Sequence, residues 1–105
     1  MKEVYEKIGE MLSLEHGVES GQMFGKACMK VQKKAFVAFF KDEMVFKLGQ
    51  EKIALIKDQY PGSVNWDPSG KGRAMKEWLQ VPAEFEESWE FLSHQAKAFV
   101  EDNWS

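Results

Sequence analysis

A glycine-rich basic loop at residues 67–76 has the residue types best suited to chemistry. Closely spaced glycines can turn backbone N–H groups toward an anion, while Lys71, Arg73 and Lys76 add positive charge. The spacing excludes a Walker motif, since Lys71 is followed by Gly72 rather than by Ser or Thr, and no glycine three residues later completes a dinucleotide fingerprint. We therefore predict either an exposed hairpin loop whose glycines supply positive φ or a weak site for an anion or acidic partner.

The residue sets used in catalysis and metal binding are sparse in this chain. His16 and His94 lie far apart in the sequence, without a ligand set at the spacing of a His-x-x-x-His motif. Cys28 is the single cysteine, so it cannot form an intramolecular disulfide, and we interpret it as a packing residue in a predicted strand. No Gly-x-Ser-x-Gly elbow is present. We expect a protein that is not an enzyme and holds neither a metal nor a cofactor.

The charge distribution is more informative than the net charge of −3. Residues 1–20 carry −3 and residues 83–105 carry −5, whereas residues 21–82 carry +5. A basic centre between acidic ends argues against a nucleic-acid-binding protein of overall basic type but allows one basic face. Because no apolar run approaches the roughly 20 residues of a membrane span and the start lacks signal-peptide order, we expect a cytoplasmic protein.

Hydrophobic periodicity predicts a helix at each end of the chain, with Gly17 ending the first. The apolar positions of the first helix are Met1, Val4, Tyr5, Ile8, Met11 and Leu12. Pro82 suits the first turn of the last helix. A core stripe then follows at steps of three and four, at Phe85, Trp89, Leu92, Ala96 and Phe99. We predict that its aromatic and leucine members pack on a sheet together with Val4 and Ile8.

Between these helices the chain changes to short apolar runs separated by polar residues and turn signals. The predicted strands are residues 27–31, 35–40, 44–48, 63–66 and 75–81. The 35–40 run is apolar at every position, so its strand should be central and covered on both faces. With a short helix at 50–59, the predicted order is α-β-β-β-α-β-β-α. This predicts a single α+β domain over residues 1–105, with an antiparallel sheet packed by helices.

Two segments carry a resemblance to a known family. The run Met-Phe-Gly at residues 23–25 and the stretch from Gly70 to Trp78 resemble the TfoX N-terminal-like domains, many of which are small stand-alone proteins. The resemblance implies a fold similar to that of the type III secretion chaperones, and it implies a link to regulation, since named members regulate gene expression. The competence regulators that give the family its name continue into a second, helical domain, which these 105 residues do not include.

We favour an interaction or regulatory module that binds a protein partner or forms a homodimer. The apolar central strand needs cover on both faces from only three predicted helices, and a homodimer is one way to supply it. Phe91, off the stripe of the last helix, is the candidate interface residue. The alternative is a small-ligand domain, for an anion or phosphate, or an enzymatic one, and a concave pocket beside the loop would favour it. The candidate anion or partner residues of the loop are Lys71, Arg73, Lys76 and Trp78.

Single-stranded nucleic acid binding is a third class, and it requires exposed aromatic side chains among lysines. The residues that would form such a platform are Lys26, Lys30, Lys33 and Lys34 together with Phe24, Phe36 and Phe39. The net acidity of the chain and the apolar character of residues 35–40 disfavour this class. We interpret these lysines instead as protection of an edge strand against pairing with other chains.

Overall fold

The computed structural model describes residues 2–103, so Met1, assigned above to the first helix, lies outside the described residues with Trp104 and Ser105. The elements are α1 Lys2–Leu12, β1 Val18–Met23, β2 Lys26–Val31, β3 Lys34–Phe40, β4 Glu43–Lys47, α2 Gln50–Ile56, β5 Val64–Trp66, β6 Met75–Val81 and α3 Trp89–Asp102. The strands form one antiparallel six-stranded sheet in the order β1-β2-β3-β4-β6-β5. The predicted α+β class is confirmed.

Strand β1 is an element that the sequence reasoning missed. Its six residues, Val-Glu-Ser-Gly-Gln-Met, have apolar side chains only at the two ends, so no strand pattern is visible locally. Pairing with β2 forms it, through a turn in which Phe24 and Gly25 have φ of 54° and 74°. Two positive φ values match the twist of a two-residue hairpin turn. The meander thus has four strands, and the element order is α-β-β-β-β-α-β-β-α.

The helices α1, α2 and α3 all contribute to a buried core on one face of the sheet. The predicted residues of the first and last helices all belong to this one core. The residues concerned are Ile8, Trp89 and Leu92, which are buried, and Val4, Phe85 and Phe99, which are partly buried. The last helix begins later than Pro82, because Ala83–Ser88 forms a 3₁₀ segment before α3. Within residues 2–103 no helix has both the length and the apolar content needed to span a bilayer.

The opposite face of the sheet carries a second buried cluster, and within residues 2–103 all its members lie in strands. Its buried members are Cys28, Ala38, Phe40, Val45, Trp66 and Trp78. The ring of Phe24, at the β1–β2 turn, meets the ring of Trp66 in β5 edge-on at 6.1 Å between centroids. Since β1 and β5 are the two outer strands, the sheet must curl until its ends approach each other. This curl covers the second face of β3, a task for which the sequence had suggested a homodimer.

Candidate binding site

The loop between β5 and β6 is organised by the carboxylate of Asp67. Its Oδ1 accepts hydrogen bonds from the Ser69 N–H at 3.1 Å, the Ser69 hydroxyl at 2.6 Å and the Gly70 N–H at 3.1 Å. Its Oδ2 accepts from the N–H groups of Gly72 at 2.8 Å and Arg73 at 3.0 Å. The predicted positive φ is present, at 69° in Gly70 and 77° in Gly72. The positive φ of the glycines therefore directs the loop N–H groups inward, toward the Asp67 carboxylate.

This arrangement changes what the loop can offer to a ligand. The Ser69 hydroxyl and the loop amides hold the pKa of the Asp67 carboxyl below its usual value, so the carboxylate is ionised at neutral pH. The amides that it occupies are those that the glycine spacing suggested for an external anion. Lys71, Arg73 and Lys76 are exposed, so attraction for an external anion would come from their side chains. Trp78 lies underneath, buried against Trp66 with ring centroids 5.3 Å apart.

A pocket of about 300 Å³ opens beside this loop. It is lined by Phe24, Asp67, Pro68, Ser69, Arg73 and Met75. The pocket therefore unites the two segments that carry the family resemblance, which are separated by more than 40 positions in the sequence. We call it the Phe24 pocket. From the sequence, Phe24 is a candidate only for a nucleic acid platform, and no local pattern predicts that it lies beside the loop.

Phe24 is in an unfavourable position for an aromatic residue. Its φ of 54° lies in the left-handed region, which costs an ordinary residue about 1–2 kcal/mol, and turns of this type favour Asn or Gly there. Its side chain is also 62% exposed. The sequence carries one signal for this feature: Phe-Gly stands where a two-residue hairpin turn usually has Asn-Gly, so an aromatic residue replaces the favoured asparagine.

Basic side chains surround the aromatic residues near the pocket. The Nζ atoms of Lys26 and Lys41 lie 5.5 and 5.3 Å from the centroid of the Phe40 ring, which contacts Trp66 at 5.8 Å. Over residues 2–103, none of Lys26, Lys41, Lys71 and Arg73 forms an ion pair. Elsewhere lysines do have acidic partners. These include Lys33 with Glu19 at 3.1 Å and Lys97 with Glu15 at 3.2 Å.

The other sequence candidates do not join this site. Phe36 is buried and Phe39 is half-buried against Tyr5, with ring centroids 5.2 Å apart, so Phe24 is the exposed ring of the three. Phe91 is 59% exposed on α3, and its predicted role in an interface stays a prediction.

Cys28 and His94, weighed above for metal binding and nucleophilic chemistry, have packing or ion-pair partners in the described part of the chain. Residues 2–103 contain no group of three or more His, Cys, Asp and Glu that could hold a metal ion. Cys28 is buried, and its burial raises the pKa of its thiol, so the sulfur is protonated at neutral pH. His94 lies 3.6 Å from the carboxylate of Glu15, next to Lys97 in a surface network. These groups suit packing and surface pairing better than nucleophilic chemistry.

The chain matches no protein-family model, and no curated protein matches it at a significant level.

Proposed function

We propose that this chain is a non-catalytic binding domain of the TfoX N-terminal-like kind, and that it docks a protein partner at the Phe24 pocket. The observation that carries the proposal is Phe24 itself. Phe24 lies in a left-handed turn, which costs conformational energy, and its apolar ring is largely exposed to water beside an apolar pocket. Within the chain, its ring contact is an edge-on one with Trp66. Strain of this kind is typical of binding and catalytic sites.

The charges around the pocket favour a partner with acidic side chains. Arg73 lines the pocket, and so does Asp67, whose carboxylate already accepts hydrogen bonds from the loop. Lys26 and Lys41 lie over Phe40 of the second buried cluster, Lys71 extends from the loop, and within residues 2–103 none of these basic residues forms an ion pair. The acidic residues of the segment 83–105 do not counter these positive charges, because α3, which belongs to that segment, packs on the other face of the sheet. Complementary charge accelerates encounter and selects partners, while a buried apolar anchor supplies most of the affinity. The expected partner therefore presents an apolar or aromatic side chain flanked by Asp or Glu.

The pocket beside the loop is the feature that would favour the small-ligand alternative, but Asp67 already occupies the loop amides, which weakens the case for an anion there. Nucleic acid is also disfavoured as the ligand. Sequence-tolerant binding of single-stranded nucleic acid uses several exposed aromatic rings. Of Phe24, Phe36 and Phe39, only Phe24 is exposed.

Replacing Phe24 with asparagine should separate folding from binding. Relief of about 1–2 kcal/mol of backbone strain should roughly offset the loss of an aromatic contact of about 0.5–1.5 kcal/mol, so stability stays near that of wild type. We expect peptides selected from a random displayed library on the wild-type protein to be acidic with an apolar anchor. Their affinity should fall by about tenfold or more for Phe24→Asn, measured by fluorescence anisotropy.

Gln32→Asn provides the matched control, since Gln32 holds the same position, with φ of 49°, in the β2–β3 turn. That variant should bind the selected peptides as wild type does. Equal affinity for wild type and Phe24→Asn, or a failure to select any peptide that depends on Phe24, would remove the proposed site.

The double variant Lys71→Ala with Arg73→Ala should fold normally and bind less well. Both side chains are exposed, and Lys71 and Arg73 donate to Ser69 and Asp67 only through their backbone N–H groups, so we expect the free energy of unfolding to change by no more than about 0.5 kcal/mol. Binding of the acidic peptides should weaken, and the difference from wild type should shrink as salt rises. The control pair Lys52→Ala with Lys57→Ala removes equal charge at α2 and the turn after it. If the Lys71→Ala, Arg73→Ala variant unfolds, the two side chains stabilise the fold, and the proposed binding role loses its support.

A further inference from the structure

The two edge strands of the sheet are protected very differently. β5 has three residues, lies between Pro61 and Pro68, and pairs with β6 in an irregular register. β1 has six residues and contains no Pro, Lys or Arg, the residues that commonly block pairing with another chain. Its one charged residue, Glu19, pairs with Lys33 at 3.1 Å. β1 is therefore an open edge, whereas β5 is a blunted one.

The hairpin register defines which backbone groups of β1 point outward. In a two-residue hairpin the two residues that flank the turn form backbone hydrogen bonds with each other. Backbone hydrogen bonding then alternates along the strand, so the N–H and C=O groups of Met23, Gly21 and Glu19 point toward β2. The bond from the Gln32 N–H to the Gly17 carbonyl, 2.9 Å, continues this alternation. Ser20 and Gln22 then face outward, and both are exposed. Across residues 2–103 no hydrogen bond uses the N–H of either residue on that side.

A groove of about 480 Å³ runs between α1 and the β1–β2 hairpin. It is lined by Tyr5, Glu6, Gly9, Glu10, Ser13 and by parts of β1 and β2 that include Gly21 and Met29. Gly21 lies at the centre of β1, and the Lys30 side chain of β2 crosses over it, since a Cβ on Gly21 would lie 3.1 Å from the Cε atom of Lys30. Side chains on one face of an added strand would enter this groove.

We infer that the partner binds by strand addition: an extended segment pairs antiparallel with β1, and the side chain at its N-terminal end anchors in the Phe24 pocket. The inference rests on the proposed function. β1 runs directly into Phe24 at its C-terminal end, so an antiparallel partner places its N-terminal end beside the pocket. Antiparallel pairing continues the pattern of the sheet. At about 3.4 Å per residue, β1 offers roughly 20 Å of edge.

The first test uses hydrogen exchange with a defined probe, the peptide Asp-Trp-Asp-Thr-Val-Thr-Val-Thr. Saturating peptide should slow the amide exchange of Ser20 and Gln22 by about tenfold or more, because their N–H groups gain acceptors. Gly21 and Met23 are internal controls, since their N–H groups already face β2. Peptide binding that leaves the exchange of Ser20 and Gln22 unchanged would overturn strand addition.

The second test uses backbone-modified probes and one edge variant. Two versions of the peptide carry N-methyl groups on alternate residues, in opposite phase. One version should lose about tenfold or more in affinity and the other should retain it, because only one phase has donors that face β1. Gln22→Pro removes an outward N–H and should weaken binding similarly. The N-methylated pair keeps the test valid if that variant fails to fold.

The outcomes separate the two proposals. Loss of binding in Phe24→Asn with equal affinity for both N-methylated peptides would reject strand addition and leave the proposed pocket in place. If the wild-type protein binds no version of the probe, strand addition as stated is rejected. The proposed function is then decided separately, by whether the displayed library contains peptides whose binding depends on Phe24. A doubled mass by light scattering without peptide, abolished by Gln22→Pro, would show instead that the occupant of β1 is a second copy of the chain.

Discussion

Replacing Trp89 with alanine should lower the free energy of unfolding by about 3–5 kcal/mol, the usual cost of removing a buried aromatic side chain. Trp89 opens α3 and is fully buried in the core on the helical face of the sheet. The same core contains Leu92 from α3 and Ile8 from α1. Because α3 packs on β3 and β4 and Trp89 is buried in the core that they share, we expect the cavity left by alanine to close only in part.

Urea unfolding followed by circular dichroism measures this loss. Phe91→Ala is the matched control, since it removes an aromatic side chain two residues away on the same helix but from an exposed position. We expect that variant to change the free energy of unfolding by no more than about 0.5 kcal/mol. Similar unfolding midpoints for Trp89→Ala and wild type would mean that this face of α3 is not part of the core.

Gly49→Ala should also be strongly destabilising, by about 2–5 kcal/mol. Gly49 has a φ of 85°, where an ordinary residue costs about 1–2 kcal/mol. A Cβ at this position would lie 2.5 Å from Cε1 and 2.9 Å from Cζ of the Phe99 ring, and overpacking of this kind costs about 1–3 kcal/mol. The backbone cannot easily retreat, because the Gly49 N–H donates to the Glu77 carbonyl at 3.1 Å.

Gly25→Ala isolates the backbone term of this prediction. Gly25 has a similar φ of 74°, but a Cβ there would meet no described atom within 4 Å beyond its two chain neighbours. Its replacement should therefore cost only about 1–2 kcal/mol by thermal or urea unfolding. Combining Gly49→Ala with Phe99→Leu should recover part of the larger loss, since the ring that obstructs the Cβ is gone. Equal losses for the two glycines would contradict the steric argument.

Local pattern in the sequence was enough to predict much of the architecture. The spacing of Trp89 and Leu92 predicted the buried face of α3, since helical periodicity appears within a few turns of chain. The unbroken apolar run at 35–40 predicted a central strand covered on both faces, and β3 is that strand. Glycines in the basic loop predicted positive φ, which is present in Gly70 and Gly72.

The tertiary structure decided the features on which the candidate site depends. β1 exists because β2 supplies hydrogen-bonding partners, which a polar sequence cannot reveal. The curl of the sheet brings Phe24 to Trp66 and buries Trp78, and the register and twist of six paired strands determine that curl. The sequence determined which residues were available for binding, namely an aromatic turn and a basic loop. Only the folding of distant segments together determined that they form one pocket, because strand pairing and sheet curvature are not local properties of the chain.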